Sequence, residues 1–135
     1  MSKEYFDTEA IPDVGDLVRS VDGRFEQRIV MAVPDRRNPK LRKAMGLVNA
    51  DDDLYGLWIA ANVNAVERLG ITDHGPVHVK TVMNIAVRML RLLVEAGGEP
   101  GIVLHYEMEN TDAEVVVALA ALFYDVGMSI HRPDH

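Results

Sequence analysis

The stretch PVHVKTVMNIAVRMLRLLVEA, residues 76–96, decides the fold class. Its polar positions Lys80, Asn84, Arg88, Arg91 and Glu95 recur at steps of three or four residues, and nearly everything between them is Val, Ile, Leu, Met or Ala. That period belongs to a helix, because a strand would alternate at every second residue. A helix is therefore predicted from about Pro76 to Ala96, with those five polar side chains on one solvated stripe. Pro76 suits the first helical position, and Gly97, Gly98 and Pro100 end the run.

Downstream, a loop is expected to carry His105 as an ordinary exposed residue, followed by Glu107, Glu109 and Asn110. Thr111 and Glu114 have the spacing of a capping box. Beyond them VVVALAALF, residues 115–123, has no polar face, so this helix is predicted to be buried all round.

Upstream, LYGLWIAANVNAVERL (residues 54–69) places Leu54, Trp58, Ala61, Ala65 and Leu69 on one helical stripe, with Gly70 in the terminating C′ position. Asn62 and Asn64 read as satisfied core or rim amides. The triplet Asp51, Asp52 and Asp53 reads as a cap with favourable charge at the helix start rather than a calcium loop, since no regular series of oxygen ligands follows it. Asn38 and Pro39 are suited to start a short helix from about Lys40 to Val48.

The first third is the least regular. Val14, Leu17, Val18, Val21 and Phe25 recur at helical spacing, with Asp13 as a cap, although Gly15 and Gly23 oppose a helix. RIVMAV, residues 28–33, fits either a short strand or a helix end, and the helical context favours helix. These elements predict an all-α bundle: an N-terminal segment over 1–38 that is helical in character, then a helical domain over 39–135.

Composition narrows the function. The chain has 135 residues, enough for one core, and no cysteine, which excludes disulfides and thiolate metal sites. A formal charge of -7 opposes binding to a nucleic-acid backbone. No apolar run approaches the length of a membrane span, and the first ten residues lack a signal-peptide core, so a cytoplasmic location is expected.

Candidate chemistry lies in the second half, which holds all five histidines. His74 and His78 flank the start of one predicted helix; His131 and His135 follow the end of another. Asp125 sits where the most apolar helix ends, and a buried carboxylate there is costly unless paired or bound to a metal. A frayed helix end that exposes Asp125 to water fits its position equally well. A lone histidine at a helix end is more often structural than a ligand.

Two motifs carry a resemblance. HVKTVMNIA, beginning at His78, resembles the first motif of the HD-domain metal-dependent phosphohydrolases, with Val82 and Ala86 following at four-residue steps. AEVVVALAALFYDVG is similar to the helix that carries the superfamily's His-Asp pair. DHGPVH and GMSIHR look like a prokaryotic, perhaps archaeal, branch, and the likeness runs from about Leu41 to the end of the chain.

The resemblance implies an HD-type helical bundle. It also implies a divalent metal (Mn, Fe, Ni, Mg or Zn) held by His78 and Asp125, with His74, His131 and His135 as further candidate ligands. Asp125 is then the catalytic carboxylate, Arg132 a candidate contact to substrate phosphate, and the reaction a hydrolysis of a small phosphorylated substrate. Two departures qualify this. Tyr124 stands where the family carries the His of its pair, and a phenol is a poor ligand at neutral pH. The family's further downstream Asp has no counterpart, so the domain is expected to be incomplete at its C-terminal side. An incomplete bundle would expose the apolar side of the 112–123 helix, for which a homodimer is the expected remedy. The alternative function is a catalytically impaired HD-like module with a binding or regulatory role.

Overall fold

Asn38 and Pro39 start the first helix as their chemistry predicts. The side-chain oxygen of Asn38 accepts from the Leu41 amide at 3.0 Å, and Pro39 fills the first helical position. This helix, α1, spans Pro39–Asn49. Asp51 then caps α2 (Asp52–Val63) by accepting from the Leu54 amide at 2.9 Å, with Asp52 and Asp53 in the positively polarised first turn. A π-helical turn, Asn64–Arg68, prolongs α2, and Gly70 closes it at φ +64°, a conformation that glycine adopts without strain. The long helix α3 covers Pro76–Glu95, α4 covers Gly101–Tyr106 and α5 covers Asn110–Phe123. A 3₁₀ turn, Val126–Ser129, follows.

The computed structural model describes residues 17–19, 25–35 and 37–129, and the chain divides into two compact units, Met1–Val30 and Met31–His135. The larger unit is an all-α bundle. Helix α5 lies principally against α3 and then α1, while α2 packs on the 3₁₀ turn. Leu41, Trp58, Val79, Met83, Val87, Ala118 and Leu122 are almost wholly excluded from water. Burial of each larger aliphatic side chain among them contributes about 1.5–3 kcal/mol against the entropy of ordering it.

A carboxylate ties three helices together. Glu114 of α5 accepts from Arg91 Nε and a terminal guanidinium nitrogen of α3, both at 2.9 Å. The Asn38 amide at the head of α1 donates to Glu114 at 2.9 Å and to the Thr111 carbonyl at the same distance. Burial pushes the Glu114 carboxyl up, but the Arg91 and Asn38 hydrogen bonds and the Arg91 charge outweigh it and hold the group below its ordinary value.

Several expectations are corrected by this arrangement. Glu114 is committed to Arg91 and Asn38, so it does not pair with Thr111 in a capping box. Glu109 and Asp112 form the box instead, with Asp112 accepting from the Glu109 amide at 2.9 Å. Lys40 reaches both carboxylates, at 3.0 and 2.9 Å. The polar stripe of α3 is not uniformly solvated: Arg91 is paired inward, and the Asn84 amide donates to the Ala32 carbonyl at 2.9 Å. Val77, Ile85, Met89, Leu92 and Leu93 of α3 are exposed.

Helix α5 is not buried all round either. Its small residues Ala113, Ala118 and Ala121 face inward with Leu122, while Val116 and Phe123 face water. His105 is exposed as expected, but it belongs to the short helix α4 rather than to a loop. That helix buries none of its residues, and Glu107 follows it at φ +54°, an uncommon left-handed conformation for a residue other than glycine.

The helix expected across Val14–Phe25 is also corrected. Leu17–Arg19 and Phe25–Gln27 pair antiparallel, with Leu17 opposite Gln27 and Arg19 opposite Phe25. Branched residues favour strands as readily as one helical face, and the sequence between the strands holds Asp22-Gly23, a strong hairpin dipeptide.

RIVMAV does not form a helix end. Met31 and Val33 are buried while Ala32 and Pro34 are exposed, the alternation of an extended chain. The partner is a side chain: the Asn49 amide accepts from the Met31 amide at 2.7 Å and donates to its carbonyl at 2.8 Å. One amide thus supplies the paired hydrogen bonds that a neighbouring strand would offer.

Candidate metal centre

The turn before α3 and the end of α5 meet. Asp73 organises the turn by accepting from the Gly75 amide at 2.6 Å, a local side-chain bond that sharpens the bend. Asn62 of α2 holds the same turn from below, accepting from the His74 amide at 3.0 Å. Gly75 is favoured by close approach, since a Cβ there would lie 3.1 Å from the Asn62 amide, which would have to give by a few tenths of an ångström. Pro76 then begins α3, which places His78 in its first turn. Opposite, the indole of Trp58 donates to the Leu122 carbonyl at 2.8 Å and fixes the last turn of α5, just ahead of Tyr124 and Asp125.

The result is a cluster of three ligand-type side chains. His74 Nε2 and His78 Nε2 each lie 3.8 Å from Asp125 Oδ2. The candidate ligand atoms of His74, His78 and Asp125 all fall within 4.8 Å of one another. The imidazole rings are 5.0 Å apart between centroids. The Asp125 side chain is only 13% exposed. Among the described residues, its Oδ2 is a buried side-chain oxygen with no hydrogen-bond partner.

The tautomer of His74 sharpens this geometry. Its Nδ1 contacts the Thr72 carbonyl, which can only accept, so Nδ1 carries the proton. In the neutral ring, Nε2 then presents a lone pair towards a carboxylate oxygen that also has only lone pairs to offer. Two acceptors facing each other 3.8 Å apart have room for a cation between them, either a proton on the imidazole or a metal ion. A backbone carbonyl on the far nitrogen is also the usual partner of a metal-ligating histidine. Ligand atoms on a tetrahedral ion at about 2.1 Å stand about 3.4 Å apart, so the two 3.8 Å separations need contract by only a few tenths of an ångström, while the remaining pair is bounded at 4.8 Å. The donor set therefore fits a divalent transition metal.

Tyr124 completes the picture. Its hydroxyl lies 2.8 Å from His78 Nε2. Burial first, and then the adjacent Asp125 carboxylate, push the phenol above its ordinary value, so it stays protonated at neutral pH.

The comparisons with known proteins add one relative. An uncharacterized protein of Methanocaldococcus jannaschii is 41% identical over 75 residues, which is 56% of this chain and 29% of that protein. The chain spans less than a third of that relative's length. No family model matches, and no solved structure matches.

Of the residues expected from sequence, His78, Asp125 and His74 come together. His131, His135 and Arg132 lie outside the described residues. Asn62 and Asn64 are satisfied amides as expected, the second donating to the Ser129 carbonyl at 3.0 Å. Reading the sequence missed the supporting set of Asn62, Thr72 and Gly75. The compact ITDHGP turn, rich in bend-forming residues, signals Thr72 and Gly75, whereas nothing in the sequence ties Asn62 to that turn. Open surface concavities near Leu47, Asp51 and Asp53 lie apart from the histidines, and Asp51 there is engaged in capping.

Proposed function

We propose that His74, His78 and Asp125 bind a divalent metal and that the site serves the hydrolysis of a phosphoester or nucleotide. The observation that carries this reading is Asp125 Oδ2, buried with no hydrogen-bond partner among the described residues and faced at 3.8 Å by two imidazole nitrogens. An orphaned carboxylate oxygen costs about 1–3 kcal/mol or more unless something satisfies it. The HD-like order of the motifs around His78 and Asp125 supports the reaction class.

When bound, a divalent ion supplies Lewis acidity towards a phosphoryl oxygen and lowers the pKa of a water. The protein's own residues bind and orient. Thr72 fixes the His74 tautomer, Asn62 fixes the backbone of His74, and Trp58 fixes the helix end that presents Asp125. Three protein ligands leave coordination positions for solvent and substrate, as in catalytic rather than structural sites. Two imidazoles and one carboxylate suit Zn, Fe, Ni or Mn better than Mg.

The test is metal content after purification without chelator, followed by phosphoester hydrolysis assays with Mn, Mg and Ni. Absence of both bound metal and turnover would end the proposal. The hydrogen bond between Tyr124 and His78 favours the second reading, an impaired helical module that retains the site but not the turnover. Metal uptake without hydrolysis of any phosphoester identifies that case.

A further inference from the structure

His78 Nε2 faces two groups at once: Asp125 Oδ2 at 3.8 Å and the Tyr124 hydroxyl at 2.8 Å. An imidazole nitrogen offers a single in-plane lone pair or a single proton. It cannot accept from a phenol and ligate an ion with the same lone pair. We propose that Tyr124 competes with the metal for His78, so that its hydroxyl closes the metal-free site and must leave before an ion is bound. This inference rests on the metal-binding reading above.

Three features make the exchange feasible. Tyr124 caps the C-terminal end of α5 at φ -61° and ψ -32°, so the helix delivers the hydroxyl to His78 without backbone strain. The residue is 55% exposed, so its side chain has water to turn into without disturbing the core. The Tyr124 and His78 rings are 6.5 Å apart between centroids and tilted by 47°, which leaves the hydrogen bond as the chief tie between them. The exchange also takes the Tyr124 hydroxyl away from the neighbouring Asp125 carboxylate, which, second to burial, otherwise holds the phenol in its protonated form.

The test is a titration of the full chain with Co²⁺, followed by visible absorption, for the natural protein and for Tyr124→Phe and Tyr124→Leu. Thermal melts confirm that each variant is folded. Both variants should bind Co²⁺ about five-fold more tightly, the fold-change that matches loss of one ordinary hydrogen bond of about 1 kcal/mol. In the natural protein, Zn²⁺ should also shift the Tyr124 ring resonances as the hydroxyl leaves. Equal or weaker binding by the folded variants overturns the competition while leaving the metal site standing. No uptake of Co²⁺ by any of the three proteins overturns the competition and the metal site together.

Discussion

The Trp58 indole donates to the Leu122 carbonyl at 2.8 Å, and both groups are buried. Leu122 lies in the last turn of α5, where carbonyls have no partner within the helix. Trp58→Phe removes the donor but keeps an aromatic ring in the core. It should cost about 1–3 kcal/mol, the usual penalty for a buried acceptor left unsatisfied. Urea unfolding measures the loss, and an unchanged midpoint would show that the carbonyl finds another donor. Because this bond fixes the approach to Asp125, metal affinity should fall as well.

A second prediction concerns Asn38, which caps α1 and donates to Glu114. Aspartate caps helices about as well as asparagine, and far better than alanine. Here the order should reverse. Asn38→Asp keeps the acceptor for the Leu41 amide but replaces a donor with a carboxylate oxygen 2.9 Å from Glu114. At pH 7, Asn38→Asp should be less stable than Asn38→Ala in chemical denaturation. The ordinary cap ranking would refute the shared role of this side chain.

Glu114 predicts an acid-sensitive tie. Its carboxyl is held below its ordinary value of 4.5 in the folded protein. The linked stability is therefore fully present above that unfolded-state value and is lost as pH falls through the lower folded value. Melting temperatures measured from pH 6 down to pH 3 should drop in this window for the natural chain. Glu114→Gln should start lower at pH 6 and show a shallower fall.

The Gly75–Asn62 contact predicts coupling. Gly75→Ala adds a methyl 3.1 Å from an amide that is itself tied to the His74 backbone. The backbone of Gly75 is ordinary, at φ -79°, so the cost is steric. Gly75→Ala should weaken Co²⁺ binding several-fold by displacing His74. In combination with Asn62→Ala, the two losses should add to less than their sum, because the second change makes room for the first. Strict additivity would show that the two residues act separately.

Helices α1 to α3 were legible because their caps and stripes agree: Asn38-Pro39, the Asp51 cap, and the uninterrupted apolar positions of α3. The N-terminal strands were not, because Val14, Leu17, Val18 and Val21 satisfy a helical period in the sequence, which outweighs the hairpin-type dipeptide Asp22-Gly23. Residues 31–33 were illegible for a different reason. Their pairing partner is the side chain of Asn49, and a pattern of hydrophobicity in one segment carries no trace of a distant amide. The same holds for the site. His78 and Asp125 stand out by residue type and position, whereas the Tyr124–His78 bond depends on how α3 and α5 dock.

The structure also separates what opens together from what opens alone. Glu114, Arg91 and Asn38 bind α1, α3 and α5 into one cooperative block. Helix α4 shares none of these ties, buries no residue and is followed by Glu107 in a left-handed conformation. Its amides should exchange with deuterium through local opening, well ahead of those in α3, and a protease should nick the chain there first. A cut near Glu107 would leave His74 and His78 on one peptide and Asp125 on another, held together by the packing of α5 on α3 and α1 and by side-chain ties such as Trp58–Leu122 and Arg91–Glu114.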